Sequence, residues 1–139
     1  MEKTWPAAEY EVGREKIREF VEAVDERRAI YNDRDAACAA GFRDLVAPPM
    51  FAVVYSNRPL WTAIGDPELG IDVSRMLHMG QELRFGEPVC SGDVITTEMG
   101  LAHVEEGKRR TTYSFESRSR NESGEQTIEA TWTMMVIGS

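Results

Sequence analysis

The sequence contains two histidines, His78 and His103, and histidine is the side chain best suited to acid–base chemistry near neutral pH. His78 lies in LHMGQE, within an alternating apolar and polar pattern typical of a half-buried strand. His103 lies in GLAHVEEGKRR, where a strand approaches a charged turn, so we expect it to be exposed. A single strand histidine is usually structural, and His78 is the better candidate of the two for a catalytic group.

The position of Gln81 relative to His78 decides whether the two side chains can act together. Strict alternation through residues 77–85 places Gln81 with Leu77 and Phe85 on one face and His78 on the other. A β-bulge at Gly80 would shift this register. Gln81 is therefore a candidate substrate-binding residue whose face depends on that bulge.

Two prolines precede an apolar run in LVAPPMFAVVY, at residues 45–55. Proline cannot donate to a sheet ladder but is tolerated in the first turn of a helix, so the pattern predicts a helix from Pro49. The run continues to Ile64 and predicts a helix buried on nearly all sides, which Pro59 could kink or end. The first free amides, around Met50 and Phe51, would lie at its positive end and could stabilise developing negative charge.

The net charge of −8 argues against general nucleic-acid binding, which requires clustered cations. Two small basic clusters remain, at residues 27–28 and 108–110. Each is either a solvated surface or a contact for the phosphates of a small ligand. Arg109 and Arg110 are the candidates for the second role.

Composition limits the remaining possibilities. A length of 139 residues predicts a single domain spanning residues 1–139, and no apolar run is long enough to span a membrane. The first residues lack the pattern of a secretory signal, so we expect a cytoplasmic protein. Cys38 and Cys90 are far apart and lack CxxC spacing, and no phosphate-binding glycine motif is present, so we expect neither a metal nor a redox cofactor.

The secondary structure predicted to position these candidates changes once along the chain, from helices to strands. In residues 14–28, apolar side chains recur at i, i+3, i+4 and i+7 and predict a helix with one buried face. Asn32 or Asp33 can cap a short alanine-rich helix that Gly41 ends. Four segments rich in β-branched and aromatic residues then predict antiparallel strands, at residues 75–85, 94–104, 109–119 and 126–138. The pattern predicts an α+β fold in which the sheet wraps the apolar helix.

Several of these segments, in this order, resemble the MaoC-like dehydratase family. They are YEVGREKIREFVEAV, AACAAGFRDLVAPPMF, LHMGQELRFGEPVCSGDVI and the closing strand pair. The chain is similar to an N-terminal-type hot-dog domain, as in the A and C subunits of mycobacterial (3R)-hydroxyacyl-carrier-protein dehydratases. The resemblance implies a curved antiparallel sheet around a long central helix, dimerisation side by side, and acyl thioesters of coenzyme A or acyl carrier protein as ligands.

The resemblance also implies where catalytic groups would lie. Catalytic members carry an aspartate and a histidine in a motif close to G-D-x-N-P-x-H after the first helix, where this chain has VDERRAIYND. Asp25 matches the aspartate, but the histidine position falls on Tyr31 or Asn32. Tyrosine stays protonated at neutral pH and asparagine does not titrate, so neither replaces the histidine. The helix start at Pro49, Met50 and Phe51 would lie near the thioester carbonyl.

Three functions remain open from the sequence. The first is a subunit of an (R)-specific hydratase or dehydratase that binds the acyl chain, in a heterodimer whose partner supplies the aspartate and histidine. The second is a self-sufficient homodimeric hydratase that uses Asp25 or His78. The third is another hot-dog function, a thioesterase or a non-catalytic acyl-ligand binder, although the predicted central helix lacks the carboxylate that hot-dog thioesterases generally use.

Overall fold

A single antiparallel sheet of five strands forms the larger part of the protein, described here for residues 3–138 from a computed structural model. Its spatial order is β1-β3-β4-β5-β2, so β1 and β2 are the edge strands. The strands are β1 (Lys3–Glu11), β2 (Met76–Phe85), β3 (Val94–Glu106), β4 (Arg110–Arg120) and β5 (Gln126–Ile137). The four strands predicted from the sequence are confirmed.

Between β1 and β2 the chain is helical. The helices are α1 (Arg14–Ala23), α2 (Ala29–Asn32), α3 (Arg34–Ala39), α4 (Ala52–Tyr55) and α5 (Asn57–Ile64), with a 3-10 turn at Pro49–Phe51 before α4. Helix α1 buries Ile17 and Val21 on the predicted face. Asp33 caps α3, because its carboxylate accepts a hydrogen bond from the Asp35 amide.

The central helix begins at the prolines, as predicted, but is divided. Pro48 precedes the 3-10 turn, and α4 and α5 are separated at Ser56, whose hydroxyl donates to the Ala52 carbonyl at 2.5 Å. Local competition of this kind for a helix carbonyl disturbs the regular ladder. Pro59 is buried within α5 and does not end it. The prediction of burial on nearly all sides is wrong for one side of the helix, where Trp61 is 56% exposed.

The helix and the sheet enclose an apolar core with two parts. One part surrounds Phe51 and lies between α1, α4 and the segments before β3. The other surrounds Phe115 and Trp132 and lies between α5 and strands β1, β3, β4 and β5. Burial of these aromatic side chains fixes the helix against the concave face of the sheet.

Strand β1 was not predicted from the sequence. Its sequence, KTWPAAEYE, lacks clean alternation and contains Pro6, which cannot donate to a ladder. The structure accommodates this proline at an edge, where pairing with β3 is irregular between Trp5 and Ala8. Trp5 anchors the strand by donating from its indole nitrogen to Asp66 at 2.7 Å.

A buried carboxylate joins the loop before the prolines to the turn before β3. Asp93 is only 2% exposed and accepts two hydrogen bonds from Arg43, at 2.6 and 2.7 Å, and one from the Cys90 amide at 2.9 Å. The adjacent backbone is paired as well, since the Ala47 amide donates to the Val89 carbonyl at 2.8 Å. These bonds fix the path of the chain into the central helix.

A second carboxylate, Asp44, joins the same loop to α1 and α3. It accepts hydrogen bonds from the Leu45 amide at 2.6 Å, from Arg34 at 3.1 Å and from Arg14 at 3.2 Å. The Leu45 bond, with support from the two guanidinium groups, lowers the pKa of Asp44 to about 2 from its ordinary 3.8.

We expect Asp44→Asn to reduce the free energy of unfolding at pH 7 by about 1–2 kcal/mol, because a one-unit pKa shift corresponds to about 1.4 kcal/mol and the site is partly screened. A depressed pKa stabilises the folded state above about pH 4, and this contribution disappears as pH falls toward 2. Urea unfolding of wild type and variant between pH 2 and 7 measures the difference. The exposed Asp35→Asn is the control, and a difference that does not change with pH would contradict the assignment.

Candidate functional site

An apolar cavity of about 170 Å³ opens beside the start of the central helix. Its walls come from α2, from the loop before the prolines, from α4 and from the end of β2. They include Ile30, Tyr31, Ala47, Tyr55, Phe85 and Val89. An apolar cavity of this size accepts a small hydrocarbon group, since engineered cavities of about 150 Å³ bind benzene.

The polar groups of the cavity are poor bases. Tyr31, one of the two residues that the resemblance aligns with the family's histidine, is buried in its wall, and Tyr55 donates its hydroxyl to Thr127 at 3.2 Å. Burial raises the pKa of Tyr55 to about 12, so that this phenol stays protonated at neutral pH. The one carboxylate among the described lining residues, Glu87, is exposed. The cavity is therefore better suited to binding than to proton transfer.

Asn32, the other residue at the histidine position, points its amide at the backbone. Its side-chain nitrogen donates to the carbonyls of Arg28, at 2.9 Å, and Glu26, at 3.0 Å. These bonds close the loop between α1 and α2. Asn32 is exposed and is not among the residues that line the cavity.

Asp25 lies in the same loop, and its side chain is 73% exposed. It forms an ion pair with Arg27 at 2.8 Å and adopts a φ of 56°, the left-handed region that favours glycine. This geometry is that of a surface carboxylate.

The helix start differs in detail from the prediction. Pro49 lines the cavity, whereas Phe51 is fully buried and its amide donates to the Pro48 carbonyl at 2.8 Å. The amide of Phe51 is therefore not free, and that part of the prediction is wrong because a 3-10 turn closes at the prolines. Among residues 3–138, no acceptor for the Met50 amide is found, and its side chain is 45% exposed.

A bulge at Met79 reverses the predicted faces of the first part of β2. His78 pairs with Met134, but Gly80 pairs with Thr133, so one extra residue lies between them. Gln81 pairs with Trp132 and therefore faces the core side with His78, because Met134 and Trp132 are both buried there. The alternation predicted for Leu77 and Met79 is wrong for the same reason, and both are exposed.

The bulge also orients the imidazole of His78. Its Nε2 atom lies 3.1 Å from the Gly80 carbonyl oxygen, which can only accept, so in the neutral ring Nε2 carries the hydrogen and Nδ1 keeps a free lone pair. The ring lies 6.0 Å from the indole of Trp132, centroid to centroid, and is exposed. His78 is thus held by the backbone, and its side chain lies on the concave side with those of Met134 and Trp132.

His78 and the cavity lie at opposite ends of β2. Along β5, the partner of His78 is Met134 and the partner of Phe85 is Ile128, a separation of six residues. At about 3.3 Å per residue, the imidazole lies about 20 Å from the cavity wall. Within one chain, His78 and Asp25 therefore do not form a catalytic pair.

The basic turn between β3 and β4 lies at the His78 end of the sheet. Arg109 and Arg110 are exposed, and Arg110 pairs with Ile137, three residues beyond the partner of His78. Strand alternation places Arg110 on the outer face with Thr112 and Ser114, whereas Arg109 precedes the strand in the turn. The structure separates these arginines from the cavity.

Among residues 3–138, the cysteines are free and neither a metal-binding cluster nor a membrane-spanning helix is formed. No group of three or more histidine, cysteine, aspartate or glutamate side chains is placed to hold a metal ion. No helix in this part of the chain is long and apolar enough to cross a membrane. Cys38 and Cys90 are free, and His103 is exposed as predicted.

Sequence reasoning missed several walls of the cavity. Tyr55, Phe85 and Thr127 meet there only because the helix crosses the end of β2 and β5. Tyr55 falls within the quoted apolar run, but its contact with Thr127, 72 residues away, leaves no local signal. The proline pair was the local sequence signal that indicated where this cavity lies.

A curved antiparallel sheet around a central helix is the hot-dog fold, and solved structures of hot-dog hydratases and dehydratases match it. A chain of the HadBC (3R-hydroxyacyl-ACP dehydratase) complex from Mycobacterium tuberculosis is 27% identical, with a TM-score of 0.80 over 96% of this chain and 93% of that one. The (R)-hydratase of A. caviae involved in PHA biosynthesis is 17% identical, with a TM-score of 0.74 over 96% of both chains. The latter likeness concerns the fold.

The chain belongs to the family described as the FAS1-like dehydratase domain region, whose model matches residues 3–129. It is a MaoC-like hot-dog protein, as the sequence resemblance predicted. A UPF0336 protein of Saccharopolyspora erythraea is 44% identical over 110 residues, which cover 79% of this chain and 69% of the relative. A UPF0336 protein of Leifsonia xyli is 38% identical over 133 residues, or 96% of this chain and 89% of the relative.

We expect Asp25→Gly to leave the protein as stable as wild type or to stabilise it by up to about 1 kcal/mol. Glycine relieves the left-handed conformation, whose cost for other residues is about 1–2 kcal/mol, although it adds entropy to the unfolded chain. Denaturant unfolding measures the change, with Asp25→Asn as a control that tolerates the same φ. A loss of more than about 1 kcal/mol would mean that the carboxylate has a structural role.

Proposed function

We propose that this protein is the acyl-binding subunit of an (R)-specific enoyl-thioester hydratase or 3-hydroxyacyl-thioester dehydratase, in a heterodimer whose second hot-dog subunit supplies the catalytic aspartate and histidine. Hydration and dehydration at C3 require a group that moves the C2 proton and a group that moves the oxygen-bound proton. The proposal assigns both to the partner.

The observation that carries the proposal is the composition of the cavity. Tyr31, one of the two residues that the resemblance aligns with the catalytic histidine, lies in the cavity wall. The second buried hydroxyl, that of Tyr55, donates to Thr127, and burial raises its pKa to about 12. Asp25 lies outside the cavity in an exposed ion pair. A cavity that is apolar and lacks an internal base suits the hydrocarbon part of a thioester.

The free edge of the sheet supports a partner beside β2. Edge strand β2 has ten residues, contains no proline or lysine, and exposes Leu77, Met79 and Phe85 at 47%, 55% and 49%. An edge of this kind is a template for another strand. The other edge, β1, contains Pro6, which has no amide to donate to an added strand and so disfavours strand addition.

Two solved relatives of the fold are themselves complexes. The HadBC chain comes from a two-subunit dehydratase, and a chain of the ChsH1-ChsH2 complex from Mycobacterium tuberculosis has a TM-score of 0.76 at 20% identity, over 96% of this chain and 94% of that one. By analogy, the partner here is a hot-dog chain that retains the complete catalytic motif.

The test is hydration of enoyl thioesters, followed by loss of enoyl absorbance. We expect the folded chain alone to be inactive and its complex with a motif-bearing hot-dog subunit to be active. Glu22→Gln in this chain should leave the activity of the complex unchanged, because Glu22 is solvent-exposed on α1 and is not among the residues that line the cavity. Activity of the isolated chain that Glu87→Gln or His78→Ala abolishes would instead establish a self-sufficient homodimer.

Acyl-chain preference should follow the cavity volume. Ile30 is half-buried in the wall, so Ile30→Phe would fill part of the 170 Å³ space without disturbing the deepest core. We expect kcat/KM of the complex to fall at least tenfold for medium-chain enoyl thioesters, because loss of two methylene contacts at about 0.8 kcal/mol each exceeds a factor of ten, and less than threefold for crotonyl thioesters. Ile30→Val is the matched control, and equal losses for both chain lengths would contradict an acyl cavity.

A further inference from the structure

His78 and Gln81 form a second polar group that the cavity does not use. They lie on the concave side of the uncovered edge strand, about 20 Å from the cavity of their own chain. Without the bulge at Met79 an odd spacing of three residues would place them on opposite faces. The bulge therefore places these two side chains on the same face of the strand.

The two side chains have complementary hydrogen-bonding roles. The bond from Nε2 of His78 to the Gly80 carbonyl leaves Nδ1 as an acceptor, and the amide of Gln81 provides a donor. Gln81 is half-buried, next to Trp132 across the ladder. An acceptor beside a donor matches a secondary amide, which offers one N–H and one C=O.

The basic turn lies beyond this pair in the same direction. Arg109 is about 13 Å from His78 along the strands, because it lies opposite Gly138, four residues beyond the partner of His78, and two strand spacings, or about 10 Å, across the sheet. Glu105 and Glu106 lie in the same hairpin, in the strand that pairs with β4. Their negative charges make the turn a local cationic site and not a broad basic surface. A ligand with an amide and a phosphate at this separation would contact both positions.

We propose that His78, Gln81 and Arg109 form a subsite for the pantetheine arm of an acyl thioester, with the His78–Gln81 pair binding an amide of the arm and Arg109 contacting its phosphate. The inference rests on the proposed function, which makes pantetheine thioesters the ligand, and deepens it by naming the residues that bind the carrier end. Coenzyme A and acyl carrier protein share this arm.

The subsite serves the partner's cavity in the proposed complex. Antiparallel pairing of β2 with the equivalent strand of a second hot-dog chain reverses the strand direction. The His78 end of this chain then lies beside the end of the partner that corresponds to Phe85, where the partner's own cavity opens. A thioester held in the partner's site would extend its pantetheine arm across the concave edge of this chain.

Calorimetric titration of the two-subunit complex with pantetheine, 4′-phosphopantetheine and coenzyme A tests the subsite. We expect His78→Ala and Gln81→Leu each to weaken binding of all three at least fivefold. His103→Ala, which changes the other histidine of the chain on β3, is the matched control and should leave binding unchanged.

The arginines provide a second matched pair. Arg109→Ala should remove the gain in affinity of 4′-phosphopantetheine over pantetheine, whereas Arg110→Ala on the outer face should retain it.

Competition between coenzyme A and a phosphopantetheinylated carrier protein identifies the natural source of the arm, since the tighter binder at matched ionic strength is the carrier used.

The outcomes separate the subsite from the proposed function. Equal affinity of His78→Ala and His103→Ala complexes that hydrate enoyl thioesters would overturn the subsite and leave the function. Binding of pantetheine that depends on His78 in a complex without hydratase activity would overturn the function and leave the subsite. A complex that binds none of the three compounds overturns both.

Discussion

The buried carboxylate of Asp93 is the constraint on which the cavity depends. An ion removed from water is costly unless its oxygens are satisfied, and here Arg43 and the Cys90 amide satisfy both. Those bonds join the loop that leads into the prolines to the turn that leads into β3. Val46 and Val89, which wall the cavity, lie on these two segments, so the cavity is built on one charged contact and not only on apolar packing.

The sheet separates two kinds of surface that a self-sufficient enzyme would combine. An apolar cavity lies at one end, beside the start of the central helix, and the polar group of His78 and Gln81 lies at the other. A strand is too rigid to bring its two ends together. Only a second chain, whose corresponding strand runs in the opposite direction, can place one kind of surface beside the other, which is why the proposed function requires a dimer.

Much of the fold could be predicted because the relevant signals are local. Periodicity gave four strands, and the proline pair marked the start of the central helix within one residue. Strand β1 escaped prediction because Pro6 and the small residues after it obscure alternation, and its place depends on a distant contact between Trp5 and Asp66. Secondary-structure propensity depends on local sequence and cannot detect such distant contacts.

The site was harder to predict than the fold. Loss of the catalytic motif around Tyr31 is visible in the sequence, but the cavity there depends on Tyr55 meeting Thr127 across 72 residues. The bulge at Met79 has no distinctive sequence signature beyond one glycine, yet it decides which face His78 occupies. One extra residue in the ladder therefore decides whether His78 and Gln81 share a face of β2.

The exposed edge of β2 also has a consequence for the cell. A strand edge that displays Leu77, Met79 and Phe85 favours self-association and recognition by chaperones and proteases when nothing covers it. In the proposed heterodimer, a copy left without its partner would keep this edge exposed, so the amount of stable protein would follow the amount of the partner.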